Sequence, residues 1–135
     1  MAIHVMWDND DHTIFRYQFE ERWTWDEFFD ARNQALAMID TVSHKVGVIM
    51  DAPPNIKLPP NLLTHSLSSL RHIHPNTVIL VFIAGQSFLS MMVSMMAKMS
   101  HMTAGNLVVA ANLDEARAVI AKRLHSLNDI AQPTA

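Results

Sequence analysis

The sequence predicts an α/β fold: a single domain with a mixed β-sheet of about five strands, flanked by about four helices. Three observations support this prediction. Residues 45–51 form a short β-branched run that is apolar at successive positions, which is typical of a strand covered on both faces. Residues 77–84 form a second run of this kind. Segments with helical spacing lie around both runs, so strands and helices alternate along the chain.

The N-terminal part predicts a hairpin followed by a helix. Residues 3–7 and 13–20 indicate two strands, and the polar residues between them favour a turn because short polar side chains bond the local backbone. Thr24 is followed three residues later by Glu27, which is the pattern of a capping box. The helix that begins there is predicted to end near Asp40.

The later elements continue the alternation. They are a helix over residues 61–70 capped by Asn61, the strand at 77–84, a helix over 87–101, a strand over 106–110 and a final helix from Asn112 to about residue 127. Because right-handed crossovers make successive strands parallel, the hairpin and the later strands predict a mixed sheet. The domain is expected to span residues 1–128, and residues 129–135 are expected to form a loose tail.

Composition excludes several classes of function. The 135-residue chain carries a net charge of -3, which argues against a general attraction to nucleic acid. It contains no cysteine, so disulfides and thiolate metal sites are excluded. No apolar run approaches the roughly 18 residues that span a bilayer, and the N-terminus does not resemble a signal peptide. We therefore expect a cytoplasmic protein.

The order of elements resembles that of STAS domains, the family of bacterial anti-sigma factor antagonists and sulfate transporter tails, and of the related SpoIIAA-like branch. The resemblance covers roughly residues 3–127 and includes a central strand that ends in Asp51. It implies a STAS-like fold and a regulatory function exerted by protein binding. Members of the family place an Asp-Ser-Ser-Gly-like segment with a phosphorylatable serine after this strand. Residues 52–63 contain neither serine nor glycine, so the serine switch is not carried over to this loop.

The first predicted functional surface is a ligand or partner loop at the end of the central strand. It comprises Asp51, Asn55, Lys57 and Asn61, because open sheets place ligands at the carboxyl ends of their strands. Two interpretations of Asp51 stay open. It caps the proline-rich loop by accepting backbone N–H groups, or it joins a carboxylate of residues 8–11 to hold magnesium and accept phosphate.

The second predicted surface is a methionine stripe on the third helix. Met92, Met95, Met96 and Met99 recur at spacings of three and four, and the stripe is wider than one sheet face requires. Methionine suits adaptable contacts, so this stripe predicts a homodimer interface or a protein-partner site. The alternative is that these side chains are all core.

Two further groups are candidates for smaller roles. His65, His72 and His74 form the densest histidine cluster and could ligate a metal, but histidines without a ligand role are commoner, so no metal and no other cofactor is expected. Trp23 and Trp25 flank the start of the first helix. One is expected to enter the core while the other covers the corner.

Together these features predict a non-catalytic, self-associating protein-interaction module. The alternative is a small-ligand-binding protein or an enzyme with its site around Asp51. The chain has only three glycines and no Gly-x-Ser-x-Gly segment, which does not favour nucleotide hydrolysis or acyl transfer.

Overall fold

The part of the chain that the structure describes forms a five-stranded mixed sheet with a helix on each face. The computed structural model describes residues 2–57, 59–61, 64–65, 73–83 and 107–131, the last four as helical backbone only. The elements in chain order are β1 (Ile3–Trp7), β2 (Ile14–Phe19), α1 (Trp25–Ile39), β3 (Val46–Asp51), β4 (Thr77–Ile83), β5 (Leu107–Ala110) and α2 (Leu113–Ala131). The predicted α/β class and five-strand mixed sheet are confirmed. The predicted second and third helices lie outside the described residues, except that residues 64–65 are helical.

The strands lie in the order β1-β2-β3-β4-β5. β1 is antiparallel to β2, whereas β2, β3, β4 and β5 are mutually parallel. β3 is therefore the central strand, as its continuous apolar run predicts. Its first four residues are buried, because both of its faces and both of its edges have neighbours.

The two described helices cover opposite faces of the sheet. Because side chains alternate along a strand, Phe15 and Tyr17 of β2 pack with α1, whereas Ile14 lies on the other face. On that second face Ile49 of β3 packs with Ile120 of α2. Among the described residues, neither helix is both long and apolar enough to cross a membrane.

The predicted capping box of α1 is present. The Thr24 side chain accepts a hydrogen bond from the Glu27 backbone N–H, and the Glu27 carboxylate accepts one from the Thr24 backbone N–H. Glu27 also accepts from the Ala2 backbone N–H at 3.2 Å. These hydrogen bonds, with that from Ala2 contributing most, lower the pKa of Glu27. The helix ends at Ile39 with Asp40 as its C-cap, where the sequence predicts.

The final helix begins as predicted but ends later. The Asn112 side chain accepts from the Glu115 backbone N–H at 2.8 Å, and the Glu115 carboxylate accepts from the Ala111 backbone N–H at 2.9 Å. The helix then continues through Ala131, four residues beyond its predicted end. Residues 129–131, expected to belong to the tail, are therefore helical.

Gly47 of β3 allows α2 to lie close to the sheet. A Cβ atom at this position would stand 2.8 Å from Cγ1 of Ile120 and 3.0 Å from its Cδ1, which is closer than packed carbon atoms approach. Ile120 is itself fully buried and cannot move aside into solvent. The missing side chain of Gly47 therefore sets the distance between α2 and the central strand.

We predict that Gly47→Ala lowers the free energy of unfolding by roughly 1–3 kcal/mol, because the added methyl group overpacks this contact. In an Ile120→Ala background the same change should cost less than about 1 kcal/mol, since the two sites are in direct contact and their effects couple. Denaturant titration of the four proteins measures both values. An equal cost in both backgrounds would show that Ile120 does not limit the space at Gly47.

Candidate functional site

Asp51 points to the face of the sheet that carries α2. It is the last residue of β3, two positions after Ile49, so the two side chains lie on the same face. Arg16 of β2 shares this face, and its Nη1 lies 3.6 Å from Asp51 Oδ2. Among the described residues, the Asp51 carboxylate therefore faces a guanidinium group and not the backbone of its own loop. Residue 58 of this loop lies outside the described residues, so the interpretation of Asp51 as a loop cap stays a prediction.

Arg16 links Asp51 to a second carboxylate. Its Nε lies 3.6 Å from Oδ1 of Asp8, which follows β1. Arg117 of α2 donates to the same carboxylate twice, from Nε to Oδ2 at 2.7 Å and from Nη2 to Oδ1 at 3.0 Å. Asp8 is 3% exposed and Asp51 is 25% exposed. We call Asp8, Arg16, Asp51 and Arg117 the ion-pair cluster.

The charges of the ion-pair cluster stabilise one another. The hydrogen bonds from Arg117 to Asp8 raise the pKa of Arg117, although burial opposes the shift, and the charges of Asp8, Asp114 and Asp51 add to it. Arg16 donates from Nη2 to the Met6 sulfur at 3.3 Å. Its buried Nε has no hydrogen-bond partner among the described residues. The cluster joins β1, β2, β3 and α2 through one set of charges.

This arrangement does not favour the magnesium and phosphate interpretation of Asp51, which stays a prediction. The Arg16 guanidinium lies against both Asp51 and Asp8, in the position where that interpretation places the magnesium ion. Arg117 occupies both oxygens of Asp8. Within the described ranges, no group of three or more histidine, aspartate or glutamate side chains is arranged to hold a metal ion.

The proline-rich loop is held against the start of α1 on the opposite side of the sheet. The Lys57 backbone N–H donates to the Glu21 carbonyl oxygen at 2.6 Å, and Trp25 Nε1 donates to the Pro60 carbonyl oxygen at 2.7 Å. Ile56, directly before the first of these attachments, packs against the α1-side core. We call residues 52–57 and 59–61 the clamped loop.

The four residues of the predicted ligand or partner loop are not brought together. Asp51 belongs to the ion-pair cluster, whereas Asn55, Lys57 and Asn61 are exposed on the clamped loop. Asn61 has a left-handed backbone with φ of 60°, and its carbonyl oxygen accepts from the His65 backbone N–H at 3.1 Å. The predicted role of Asn61 as a helix cap depends on residues 62–63, which lie outside the described residues, so it stays a prediction.

An aromatic corner supports the clamped loop. Trp23 is buried with 9% exposure, whereas Trp25 is partly exposed, so the predicted division between the two tryptophans is confirmed. Their rings meet edge to face at 4.9 Å. The His65 ring lies 4.7 Å from Trp25 and 5.5 Å from Phe29. The loop and the first helix thus share one aromatic contact surface.

The predicted histidine cluster is not assembled. His65 contacts Trp25 at the start of α1, whereas His74 Nε2 lies 3.3 Å from Oδ1 of Asp40 at its end. The helix has 15 residues, so these contacts are roughly 20 Å apart at 1.5 Å per residue. His72 lies outside the described residues. His65 and His74 therefore cannot bind one metal ion.

A groove lies at the end of α1 next to His74. It has a volume of about 450 Å³ and is lined by Leu36, Ala37, Asp40, Ile73, His74 and Pro75. His74 accepts from the Asn76 backbone N–H at Nδ1, at 3.1 Å, so its other ring nitrogen carries the proton that faces Asp40. Ile73 is 37% exposed beside it. The groove is mainly apolar with one hydrogen-bonded polar pair.

The sequence did not identify the two arginines of the ion-pair cluster, and the structure does not test the predicted methionine stripe. Met92, Met95, Met96 and Met99 lie outside the described residues, so the predicted interaction surface stays a prediction. One feature of the sequence could have identified Arg16. It is the charged residue in an alternating strand whose other face is aromatic. Arg117 had no such feature, because 109 positions separate it from Asp8.

Comparison with known proteins leaves the function to be inferred from the geometry. No family model, no curated protein and no solved structure matches the chain. The resemblance to STAS domains therefore depends on the order of elements alone.

We predict that Asp8→Asn lowers the free energy of unfolding by about 1–3 kcal/mol, because the amide cannot replace a buried carboxylate that accepts two charged hydrogen bonds. Asp114→Asn is the matched control. Asp114 lies 3.6 Å from Arg117 Nη1 but is 95% exposed, so its change should cost less than about 0.5 kcal/mol. Urea unfolding of both variants tests this difference, and equal losses would contradict it.

We also predict that Trp25→Phe loosens the clamped loop. Phenylalanine keeps an aromatic ring at the corner but cannot donate to the Pro60 carbonyl oxygen. Loss of one hydrogen bond worth about 1 kcal/mol should speed hydrogen exchange at the Lys57 amide roughly fivefold.

Trp23→Phe is the matched control for this prediction. It makes the same change of side chain, but Trp23 Nε1 has no hydrogen-bond partner among the described residues. Exchange at the Lys57 amide should change less in this variant. An equal increase in both variants would show that ring packing, and not the hydrogen bond, holds the loop.

Proposed function

We propose that this chain is a non-catalytic regulatory module of STAS-like type that acts in the cytoplasm by binding a protein partner or a second copy of itself. The order of elements supports the STAS-like assignment, and the geometry of the clamped loop supports the mode of action. In this proposal the clamped loop is the surface that a partner binds, and it takes part in no chemical reaction.

The observation that carries the proposal is the way in which the loop is held. Two hydrogen bonds attach it to the corner at Glu21 and Trp25, and Ile56 anchors it in the core. Its polar side chains Asn55 and Lys57 point into solvent. A segment fixed in this manner loses little conformational entropy on binding, so it suits recognition of a protein partner.

Composition supports self-association. Only 17% of the residues are charged, against roughly 25% in typical soluble domains, and half are hydrophobic. A chain of this size with so few charges leaves apolar surface that a second copy can cover. The methionine stripe at Met92, Met95, Met96 and Met99 is one proposed contribution to that surface.

A small-ligand or enzymatic role centred on Asp51 is the second candidate. One observation favours it: Asp51 and Arg16 keep 25% and 18% side-chain exposure on the part of the sheet face beside α2. However, a ligand that used the Asp51 carboxylate would have to compete with the Arg16 guanidinium for it. The interaction module accounts for the clamped loop without such a competition.

We predict that the purified chain self-associates. Sedimentation velocity over a hundredfold range of concentration should show a weight-average mass that rises from one copy towards two. Apolar association gains free energy from surface removed from water, so moderate salt should not reverse it. A single monomeric species at every concentration would contradict the self-association part of the proposal.

A further inference from the structure

The outer edge of β1 is built to accept another strand. The Asp8 backbone N–H donates to the Ile14 carbonyl oxygen, and the Ala2 carbonyl oxygen accepts from the Glu20 backbone N–H, both at 2.8 Å. Even-numbered residues of β1 therefore direct their backbone groups towards β2. Because these groups alternate along a strand, those of Ile3, Val5 and Trp7 point outwards. Among the described residues they have no backbone partner.

The side chains of this edge do not protect it. Exposed edge strands usually carry lysine, proline or a bulge that prevents pairing with another chain. β1 has the sequence IHVMW, which contains neither lysine nor proline. Its pairing with β2 is regular from Ile3 to Trp7, without a bulge. His4 is its only ionisable side chain, and it lies 3.3 Å from Glu20 of the same chain.

The burial pattern leaves part of β1 with uncovered apolar surface among the described residues. On the α1 face, Phe15 and Tyr17 of β2 are 0% and 5% exposed. Val5 and Trp7 of β1, on the same face, are only partly buried. The α1 face is thus fully covered at Ile3, Phe15 and Tyr17 and incompletely covered at Val5 and Trp7. The apolar surface left on Val5 and Trp7 would be removed from water by a strand added there.

We propose that a second copy of this chain pairs with β1 through an antiparallel β1–β1 contact whose two-fold axis passes beside Val5. This inference depends on the proposed self-association and assigns its surface. In this register Val5 lies opposite the same residue of the other copy, and Ile3 lies opposite Trp7. The two five-stranded sheets become one continuous sheet.

The strand is self-complementary in this register. All three outward residues fall at hydrogen-bonded positions, which gives about six inter-chain hydrogen bonds. On the α1 face, the two partly exposed Val5 side chains meet at the centre. At each end a partly exposed Trp7 lies opposite Ile3, which is 2% exposed in its own chain, so all the facing side chains are apolar. On the other face His4 lies opposite Met6, and no pair of like charges is brought together. A peptide of unrelated sequence would not have this symmetry.

A single cysteine tests the register, because the natural chain has none. At a hydrogen-bonded antiparallel pair the Cα atoms are about 5.5 Å apart, within the range that a disulfide spans. We predict that Val5→Cys forms a disulfide-linked dimer nearly completely under mild oxidation at micromolar concentration.

Two matched cysteine variants control this experiment. In Trp7→Cys the two sulfurs are offset by four residues, roughly 13 Å along the strands, so cross-linking should be slight. Asp10→Cys places an exposed cysteine in the turn and measures linkage by random collision. Equal cross-linking in all three variants would overturn the proposed register.

A proline substitution tests the interface without oxidation. The Val5 backbone N–H points away from β2, so Val5→Pro removes no hydrogen bond among the described residues but blocks pairing at the edge. Its dimer dissociation constant should rise about tenfold or more. Val5→Thr keeps the shape and the N–H group, so its dimer should persist. Circular dichroism tests whether both variants are folded. If Val5→Pro does not fold, the cross-linking of Val5→Cys decides whether β1 is the interface.

The outcomes separate this inference from the proposed function. If the natural chain dimerises and Val5→Pro dimerises equally well, the β1 surface is wrong while self-association stands. Loss of that dimer in a Met95→Glu/Met99→Glu variant would then assign it to the methionine stripe. If the natural chain is a monomer throughout, both proposals of self-association fail, and the β1 edge is left to a strand from another protein.

Discussion

The structure depends on the close packing of α2 against the central strand. β3 is covered by α1-side residues on one face and by α2 on the other, so the helices must approach the sheet at fixed distances. Gly47 has no side chain at the point where Ile120 of α2 packs against β3. One absent methyl group therefore determines the height of α2, and through it the position of every side chain on that helix.

The charges of the second face follow from this placement. Arg117 lies almost one turn before Ile120, and from there it reaches Asp8 beside β1. Asp8 in turn lies against Arg16, which lies against Asp51. The face is thus apolar where α2 covers β3, β4 and β5, and charged beside β1 and β2. Arg16 already forms an ion pair with Asp51 at the end of the central strand. This carboxylate therefore stabilises the fold, and a ligand would have to displace Arg16 to bind it.

The surfaces proposed for binding lie away from this charged region. The clamped loop is attached to the aromatic corner on the α1 side, and the edge of β1 is the outer margin of the sheet. One surface presents fixed polar side chains, whereas the other presents unpaired backbone groups. They do not overlap, so a second copy at β1 would leave Asn55 and Lys57 free for a different protein.

The sequence by itself determined the five strands, the first helix and the start of the last one, because these depend on local patterns. Thr24 with Glu27 fixed the start of α1, and the apolar run at residues 45–51 identified the central strand. It could not determine which side chains meet across the fold. Arg117 and Asp8 are 109 residues apart, and their contact depends on the height of α2 above the sheet. Such contacts arise when packed elements bring distant charges together, so only the tertiary structure decided that Asp51 faces Arg16.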